Sequence, residues 1–463
     1  MTGLRWWWTC GLLLISCSWA TSAEWRVGVA RQDITPVGPI WMAGYASRDH
    51  PCEGVLHPLW AKALAVEDSQ GHRAVIVTTD LIGLVREVSE PVCARVEKST
   101  GISRQSVLLS CSHTHCGPVV RKCAEVAYGL DARQSEIIAE YGRHLEDRLV
   151  AVIEAACRAM QPATLAYGEG TATFAINRRV RRDGGYGFGA NPKGPVDHVV
   201  PVLAARAEDG QLLAVLFGYA CHNTTTAIYE LNGDYAGFAQ LALEQSHPGT
   251  TALFMIGCGA DANPNPRGQV THAQEYGKAL SEAVDSALAQ AMQPIRGPLT
   301  TALARVELPF VDPPSREELV ARREKGDVYQ QRLTQLLLDR FDEDGGLARS
   351  YPCPVQVMRF GRDLSLVGLS GETVVDYALR LRKEFPTERL WVAGYCNEVF
   401  AYVPSERVLK EGGYEAGDSM VYFGFHGPFL PGLEDRIVDQ VKQLSAAMSA
   451  CEGATADLQP LSP

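Results

Sequence analysis

RAVIVTTDLIGLVREVSEPVCARVEKSTGISRQSVLLSCSHTHCGP, residues 73–118, carries the signals of two strands and a helix in one stretch. RAVIVTTDL (Arg73–Leu81) is apolar and β-branched with an acid near its end, which reads as a buried strand. REVSEPVCARVEKST then repeats apolar residues at helical spacing and stops at Gly101. SVLLS, from Ser106, reads as a second short buried strand. Strand, helix and strand in succession predict an α/β unit. At the exit of the second strand stand His113 and His115. Side chains alternate faces along a strand, so this spacing puts both imidazoles on one side. Two imidazoles before a Gly-Pro turn fit the start of a metal site, and equally a polar strand end facing water.

The same alternation continues outward. Apolar residues recur at helical spacing from Ser135 to Met160, and HVVPVLAARA and LLAVLFGYACH flank a turn at Glu208, Asp209 and Gly210, a hairpin signal. YAGFAQLALEQS reads as a helix, TALFMIGCG as a buried strand, and Ala273–Met292 as a further helix. Strands are expected near Leu299–Leu308 and Val355–Leu369, with a charged helical stretch, Ser315–Asp344, between them. LWVAGYCN is one more strand. This pattern predicts an α/β fold with a mixed sheet flanked by helices. There is no repeat and no Ser/Pro-rich linker, so residues 24–463 are read as one large domain.

With 463 residues, 46% hydrophobic and 21% charged, the chain has the composition of a globular protein. A net charge of -11 without a long basic block gives no footprint for nucleic acid. No internal stretch is long and apolar enough to span a bilayer. Residues 1–23 have the form of a secretory signal: Arg5, the apolar run WWWTCGLLLIS, and a small-residue cleavage site near Ala20 or Ala23. Export, to the medium or a periplasm, is expected. LISC (Leu14–Cys17) also matches a bacterial lipobox, which would anchor the chain through a lipidated Cys17. Of thirteen cysteines, Cys10 and Cys17 fall in the signal, and an odd number remains. An oxidising compartment permits disulfides but leaves at least one thiol free.

Four apolar runs end in clusters of ligand-type residues: SCSHTHCGP, GYACHNTTT, MIGCGADANPNPRG and LVGLSGETVVDY. Polar residues beyond strand ends line the crevice of α/β sheets. His113, His222 and Glu372 are all ligand types for Zn²⁺, and Asp261 stands on a fourth strand end. Singly, His222 also fits a core histidine, Asp261 a turn-forming acid, and Glu372 an acid in the first turn of a helix.

From about Arg26 to about Asp418 the chain resembles the neutral/alkaline non-lysosomal ceramidase family, zinc amidases that cleave the N-acyl bond of ceramide. The resemblance begins with RVGVARQDITPVGPIWMAGYAS and continues through GVLHPLWAKALAVED and VIVTTDL. SCSHTHCGP is similar to the family's HTHSGP stretch, and INRR (Ile176–Arg179) to its Asn-Arg element. YACHNTTT and NGDYAGFA resemble its second histidine segment and the helix entry after it. GADANPN, SGETVVDY and AYVPSERVLKEGGYEAG are similar to its Gly-Asp-Val-Ser-Pro-Asn, glutamate and tyrosine segments. The resemblance implies that His113, His222, Glu372 and Tyr402 hold one Zn²⁺, with His115 beside it as proton carrier. It implies that Arg178 and Tyr414 hold the substrate or its oxyanion, and it aligns Asp261 with a family acid.

Two residues depart from that pattern. Asn263 stands where the family has serine, and an amide donates a hydrogen bond to an oxyanion but is no nucleophile. Cys116 replaces the serine of HTHSGP, as a packing thiol or, less simply, a nucleophile. With so little sequence after Tyr414, the family's C-terminal β-sandwich is not expected here. The reading is an exported zinc hydrolase of an N-acyl amide, with His115 or Asp261 moving the proton and Arg178 and Asn263 steadying the oxyanion. The partner is a small lipid-like or N-acyl amide, with room for peripheral membrane contact, and the oligomeric state stays open. The alternatives are a hydrolase of another amide or ester, and a metal-binding protein without activity.

Overall fold

A computed structural model describes residues 24–456 of the chain, so the secretory signal, its lipobox and Cys17 lie outside the described residues. The first half runs β1 (Trp25–Asp33), β2 (Gly54–Val55), β3 (Trp60–Asp68), β4 (Arg73–Thr79), α1 (Arg86–Thr100), β5 (Val107–Cys111) and α2 (Ala132–Arg158). Next come β6 (Gln161–Thr171), β7 (Ala175–Arg182), β8 (Gly185–Asn191), β9 (Val199–Ala207), β10 (Leu212–Tyr219), β11 (Glu230–Leu231) and α3 (Asp234–Ser246). They are followed by β12 (Thr251–Ile256), β13 (Ala262–Pro264), α4 (Val270–Ala289), β14 (Gln293–Ile295) and β15 (Leu299–Pro309). The remainder is α5 (Arg316–Lys325), α6 (Val328–Asp344), β16 (Ser350–Phe360), β17 (Leu364–Leu369), β18 (Glu372–Thr373) and α7 (Asp376–Glu384). It closes with β19 (Leu390–Ala393), β20 (Tyr402–Val403), α8 (Glu406–Glu411), α9 (Met420–Phe423) and α10 (Leu433–Ala456).

The expected α/β fold is present, with two principal mixed sheets where the sequence suggested one. The larger has nine strands in the order β12-β10-β9-β6-β1-β3-β4-β5, with β14 added beside β6. The smaller has the order β15-β16-β17-β19. Leu203, Leu216 and Leu253 of the first share an apolar core with Met358, Leu366 and Trp391 of the second. The outer face of the larger sheet is covered by α1 and α2 at one half and by α3 and α4 at the other. Helices α7 and α10 cover the outer face of the smaller. Full burial of each such Leu or Phe contributes about 1.5–3 kcal/mol, which holds the layers together.

Most pairings in the two principal sheets are antiparallel, but three are parallel: β4 with β5, β10 with β12, and β17 with β19. Each pair is joined through a helix, as a parallel connection requires. In α1, Val88, Val92, Cys93 and Val96 recur at helical spacing on the buried side, and Gly101 (φ 75°) ends the helix in the left-handed region. The charged stretch 315–344 is two helices, because Gly326 and Asp327 break it and Asp327 caps the second through the N–H groups of Tyr329 and Gln330. Strands β1 and β3 carry no clean sequence signal, since Arg31 and Lys62 interrupt their apolar faces.

These parallel units matter because their exits meet. Thr114 after β5 forms a bridge with Asn223 after β10, and the His115 N–H donates to the Asn223 carbonyl at 3.1 Å. Gly257 after β12 bridges Ala393 in β19, and Tyr395 N–H donates to Gly371 O at 3.0 Å. Glu372 and Tyr402 are register partners in the small parallel pair β18–β20. Chain exits scattered over 290 residues of sequence thus become one surface, the place where open α/β sheets put ligands.

Candidate metal centre

The strand before His113 ends at Cys111, and His113 itself takes a left-handed backbone (φ 59°). The two imidazoles do face one cavity, but a turn rather than strand alternation brings them there. That conformation is uncommon for a non-glycine residue and is held by the surroundings. Tyr395 (φ 56°) is a second such case, its ring 4.5 Å from that of His113. Gly44 (φ 95°) is required on the other side, since a Cβ there would stand 2.4 Å from His115 Cγ.

His113 Nδ1 lies 2.6 Å from Ile82 O, and His222 Nδ1 lies 2.9 Å from Gly259 O. A carbonyl only accepts, so both Nδ1 atoms carry a proton, and in the neutral ring this leaves Nε2 with the lone pair. Those lone pairs point at a carboxylate. Glu372 Oε2 is 3.3 Å from His113 Nε2 and 3.2 Å from His222 Nε2, and finds no hydrogen-bond donor. Three electron-rich atoms therefore meet in a buried place without a proton between them. Close contact without a bond is the state of the pair distances, and a cation resolves it. Bonds of about 2.0–2.1 Å to a tetrahedral ion put its ligands about 3.3 Å apart, which matches these spacings.

Tyr402 Oη is 3.2 Å from His222 Nε2 and accepts from Arg178 Nη2 at 3.1 Å. Burial and then Glu372 push its phenol up, so it keeps its proton unless a cation displaces it. His115 Nε2 stands 3.2 Å from His113 Nε2, and one ring nitrogen from each of His113, His115 and His222 lies within 4.8 Å of the others. His115 differs from the other two in one respect: its Nδ1 is buried without a partner. Burial, with His113 and His222 beside it, pushes the ring well below its ordinary range.

Arg178 is buried, yet Tyr402 and Glu415 keep it firmly charged. Its Nε donates to Glu415 Oε1 at 2.7 Å and its Nη1 to Asn263 Oδ1 at 3.3 Å. Arginine has no acceptor, so Asn263 must turn its oxygen to Arg178 and keep its amide N–H groups free for the cavity. Thr224 Oγ1, 3.4 Å from the same oxygen, supports that orientation. Tyr414 lines the cavity, its ring 5.3 Å from that of Tyr402. The cavity itself has a volume of about 280 Å³. His113, His115, Arg178, Asn263, Glu372, Tyr402 and Tyr414 all line it.

His222, Asp261 and Cys116 are not in its lining; for Asp261 this departs from the expected proton-carrying role, while Cys116 is the packing thiol of the simpler reading. Asp261 accepts from Val375 N at 2.9 Å and from Asn177 Nδ2 at 3.0 Å, and its carbonyl holds the Arg178 N–H at 2.7 Å. It positions the segment that carries Arg178 and is turned away from the imidazoles. Cys116 Sγ faces Thr226 Oγ1 at 3.3 Å, and burial raises its thiol to about 11, which leaves no nucleophile. The ten cysteines described are all free. Sequence reasoning missed Glu415, which pairs with both Arg178 and Arg179 from one π-helical turn, Tyr414–Asp418. It also missed Tyr395.

A buried cluster of imidazoles and a carboxylate at converging strand exits is the layout of a metal-assisted enzyme on an α/β scaffold. Residues 25–302 match the family described as neutral/alkaline non-lysosomal ceramidase, N-terminal, and the chain belongs to that family. It is 28% identical to neutral ceramidase A of Dictyostelium discoideum over 53% of this chain and 37% of that protein. It is 24% identical to the neutral ceramidase of Pseudomonas aeruginosa over 96% of this chain and 77% of that one. The crystal structure of the Pseudomonas aeruginosa protein superposes with a TM-score of 0.65 at 23% identity, covering 85% of this chain and 70% of that chain. A ceramidase complexed with C2 gives 0.67 at 21% identity, covering 88% and 72%. The fold is theirs.

Proposed function

We propose that this protein is a zinc-dependent hydrolase of N-acyl amides, in the manner of a ceramidase. The observation that carries the reading is the convergence of His113 Nε2 and His222 Nε2 on Glu372 Oε2, at 3.3 and 3.2 Å, with both Nδ1 protons taken by backbone carbonyls. Nitrogen and oxygen donors at this spacing suit Zn²⁺, and Tyr402 completes four ligands. The carbonyl bonds of His113 and His222 are the outer supports that ligating histidines use, and His115 lacks one. His115 is therefore assigned to the proton rather than the metal.

When bound, the ion supplies Lewis-acid polarisation and acidifies water. The chain's own groups do the rest. His115 accepts the proton of the attacking water and returns it to the leaving nitrogen. Arg178, fixed by Glu415, and the amide N–H of Asn263 donate to the carbonyl oxygen as its charge grows; loss of one such donor costs about 3 kcal/mol in well-studied cases. Asp261 serves as a positioning residue for Arg178.

The second reading is another amide or ester on the same scaffold. Asn263 in place of a serine favours it, as does a cavity of about 280 Å³, at the small end of ligand sites. Hydrolysis of a panel of N-acyl amides and esters, short-chain ceramide included, decides between them. The panel is run on protein stripped with chelator and on the same protein after zinc is restored. Zinc-dependent fatty-acid release from the ceramide supports the first reading, and zinc-dependent turnover of other members alone supports the second. Turnover of the whole panel that ignores the chelator removes both. Export is part of the proposal, and among the described residues no helix is long and apolar enough to cross a membrane.

A further inference from the structure

We infer that Arg267, at the mouth of the cavity, recognises an anionic group, so that the preferred substrates are compact N-acyl amides whose amine half carries a carboxylate. The inference rests on the hydrolase reading above and narrows its substrate class.

Apart from the imidazoles, three charged side chains line the cavity: Glu372, Arg178 and Arg267. Glu372 lies among the imidazoles, and Arg178 is fixed by Glu415, Tyr402 and Asn263, with its remaining N–H groups assigned to the oxyanion. Arg267 is different. It is exposed and has no ion-pair or hydrogen-bond partner for its guanidinium among the described residues. Its backbone is nevertheless held. Asn265 N–H donates to Phe174 O at 3.1 Å, Gly268 N–H to Thr225 O at 2.6 Å, and Tyr276 Oη to Pro266 O at 2.6 Å. The side chain thus swings about a fixed point, four residues along from Asn263. An uncommitted positive fork and the proposed oxyanion donor thus line one cavity.

The remainder of the lining separates the two halves of a substrate. Ile82, Cys123, Ala124, Ala127 and Val399 are apolar and suit an acyl chain. Thr224, Asn263 and Arg267 are polar and suit the amine half. A guanidinium binds a carboxylate through two parallel N–H groups, so a carboxylate one or two bonds from the amide nitrogen is the fitting partner. The attraction is exposed to solvent, so it is modest and salt-sensitive: roughly fivefold in affinity at low ionic strength.

The test uses a pair of probes that cannot be hydrolysed: N-octanesulfonylglycine and its neutral glycinamide counterpart, titrated calorimetrically into the full chain with zinc. Wild type is expected to bind the anionic probe about fivefold more tightly at low salt, with the gap closing as salt is added. Arg267→Ala and Arg267→Gln should remove the gap and leave the neutral probe unchanged, and Arg267→Lys should keep part of it. Equal affinity for the two probes, or a gap that survives Arg267→Ala because the ion alone takes the carboxylate, overturns the inference. Because binding is read without turnover, the two ideas fail separately. A protein that discriminates the probes but hydrolyses no amide would refute the hydrolase reading alone. One that hydrolyses neutral amides without discriminating would refute only the role of Arg267.

Discussion

Glu372 and Glu398 are both buried glutamates, and their segments touch, since Gly371 N–H donates to Glu398 O at 2.7 Å. Glu398 receives the Tyr351 hydroxyl at 2.6 Å, Arg305 Nη2 at 2.9 Å and Arg86 Nη2 at 3.2 Å. Every partner it has is a donor. Glu372 meets two imidazole lone pairs instead, and its Oε2 is left without a donor. Desolvating a carboxylate costs several kcal/mol, and donors offset that cost at Glu398. At Glu372 the protein's own atoms do not. A buried acid that is fully satisfied holds a fold together, whereas one left unsatisfied among other electron-rich atoms marks where something else binds.

The largest expected effect tests this contrast directly. Glu372→Gln should lose bound zinc and depress amide hydrolysis more than about 100-fold, the scale on which even outer partners of a metal site count. Without metal it should be no less stable than wild type, because the new N–H group donates to an imidazole Nε2. Glu398→Gln should do the reverse. It removes the charge partner of Arg86 and one of the two carboxylates on Arg305, and should cost about 3 kcal/mol of stability, with zinc content unchanged. Metal analysis and denaturant titration of the two variants, with and without chelator, read both outcomes. Zinc loss in both, or in neither, would erase the distinction.

The second effect sharpens the assignment within the imidazoles. His113→Ala should abolish bound zinc, because its Nδ1 is locked to Ile82 O and its Nε2 is committed to the cluster. His115→Ala should retain zinc and lose hydrolysis by the 10²–10⁴-fold typical of general acid–base groups. Equal zinc loss in the two variants would make the three-histidine set the ligand set and remove His115 as proton carrier.

What could be read in the sequence follows the same physical divide. The strand exits are legible because short continuous apolar runs announce buried strands, and His113, His222 and Glu372 stand just beyond three of them. The parallel pairing that brings those exits together leaves no local trace. Tyr402 sits in a two-residue strand with no periodicity, and only the family resemblance brought it and Arg178 forward. Glu415 lies in a π-helical turn whose role depends on arginines 237 and 236 residues away. Lys62, in the unremarkable WAKALAVED, is 2% exposed because Glu244 takes its ammonium at 2.6 Å from 182 residues further on. Long-range partners decide whether a charge is buried, and a single sequence does not encode them locally. Asp261 was misread for the opposite reason: it has the right chemistry at the right kind of place, and a local turn aims it elsewhere.

Asp261 also supplies the smallest effect, and it lies between the two glutamates in kind. Both its oxygens have donors, Val375 N–H and Asn177 Nδ2, but these are neutral, and Arg407 Nη2 stays 3.6 Å away. Burial, aided by nearby Asp376, therefore raises its carboxyl to about 6 from 3.8. The folded state prefers the protonated form more than the unfolded state does. The stability this contributes is complete below pH 3.8 and is lost as pH rises through 6. Across that window the wild type should lose about 3 kcal/mol that a non-titrating residue does not lose. Asp261→Asn removes the titration but sets its own amide against that of Asn177, which shifts stability by an amount independent of pH. The slope, not the offset, is thus the informative quantity. Denaturant unfolding at intervals from pH 4 to 7 should show wild type falling relative to Asp261→Asn. Curves that run parallel would mean that Asp261 stays ionised throughout, a satisfied structural acid like Glu398.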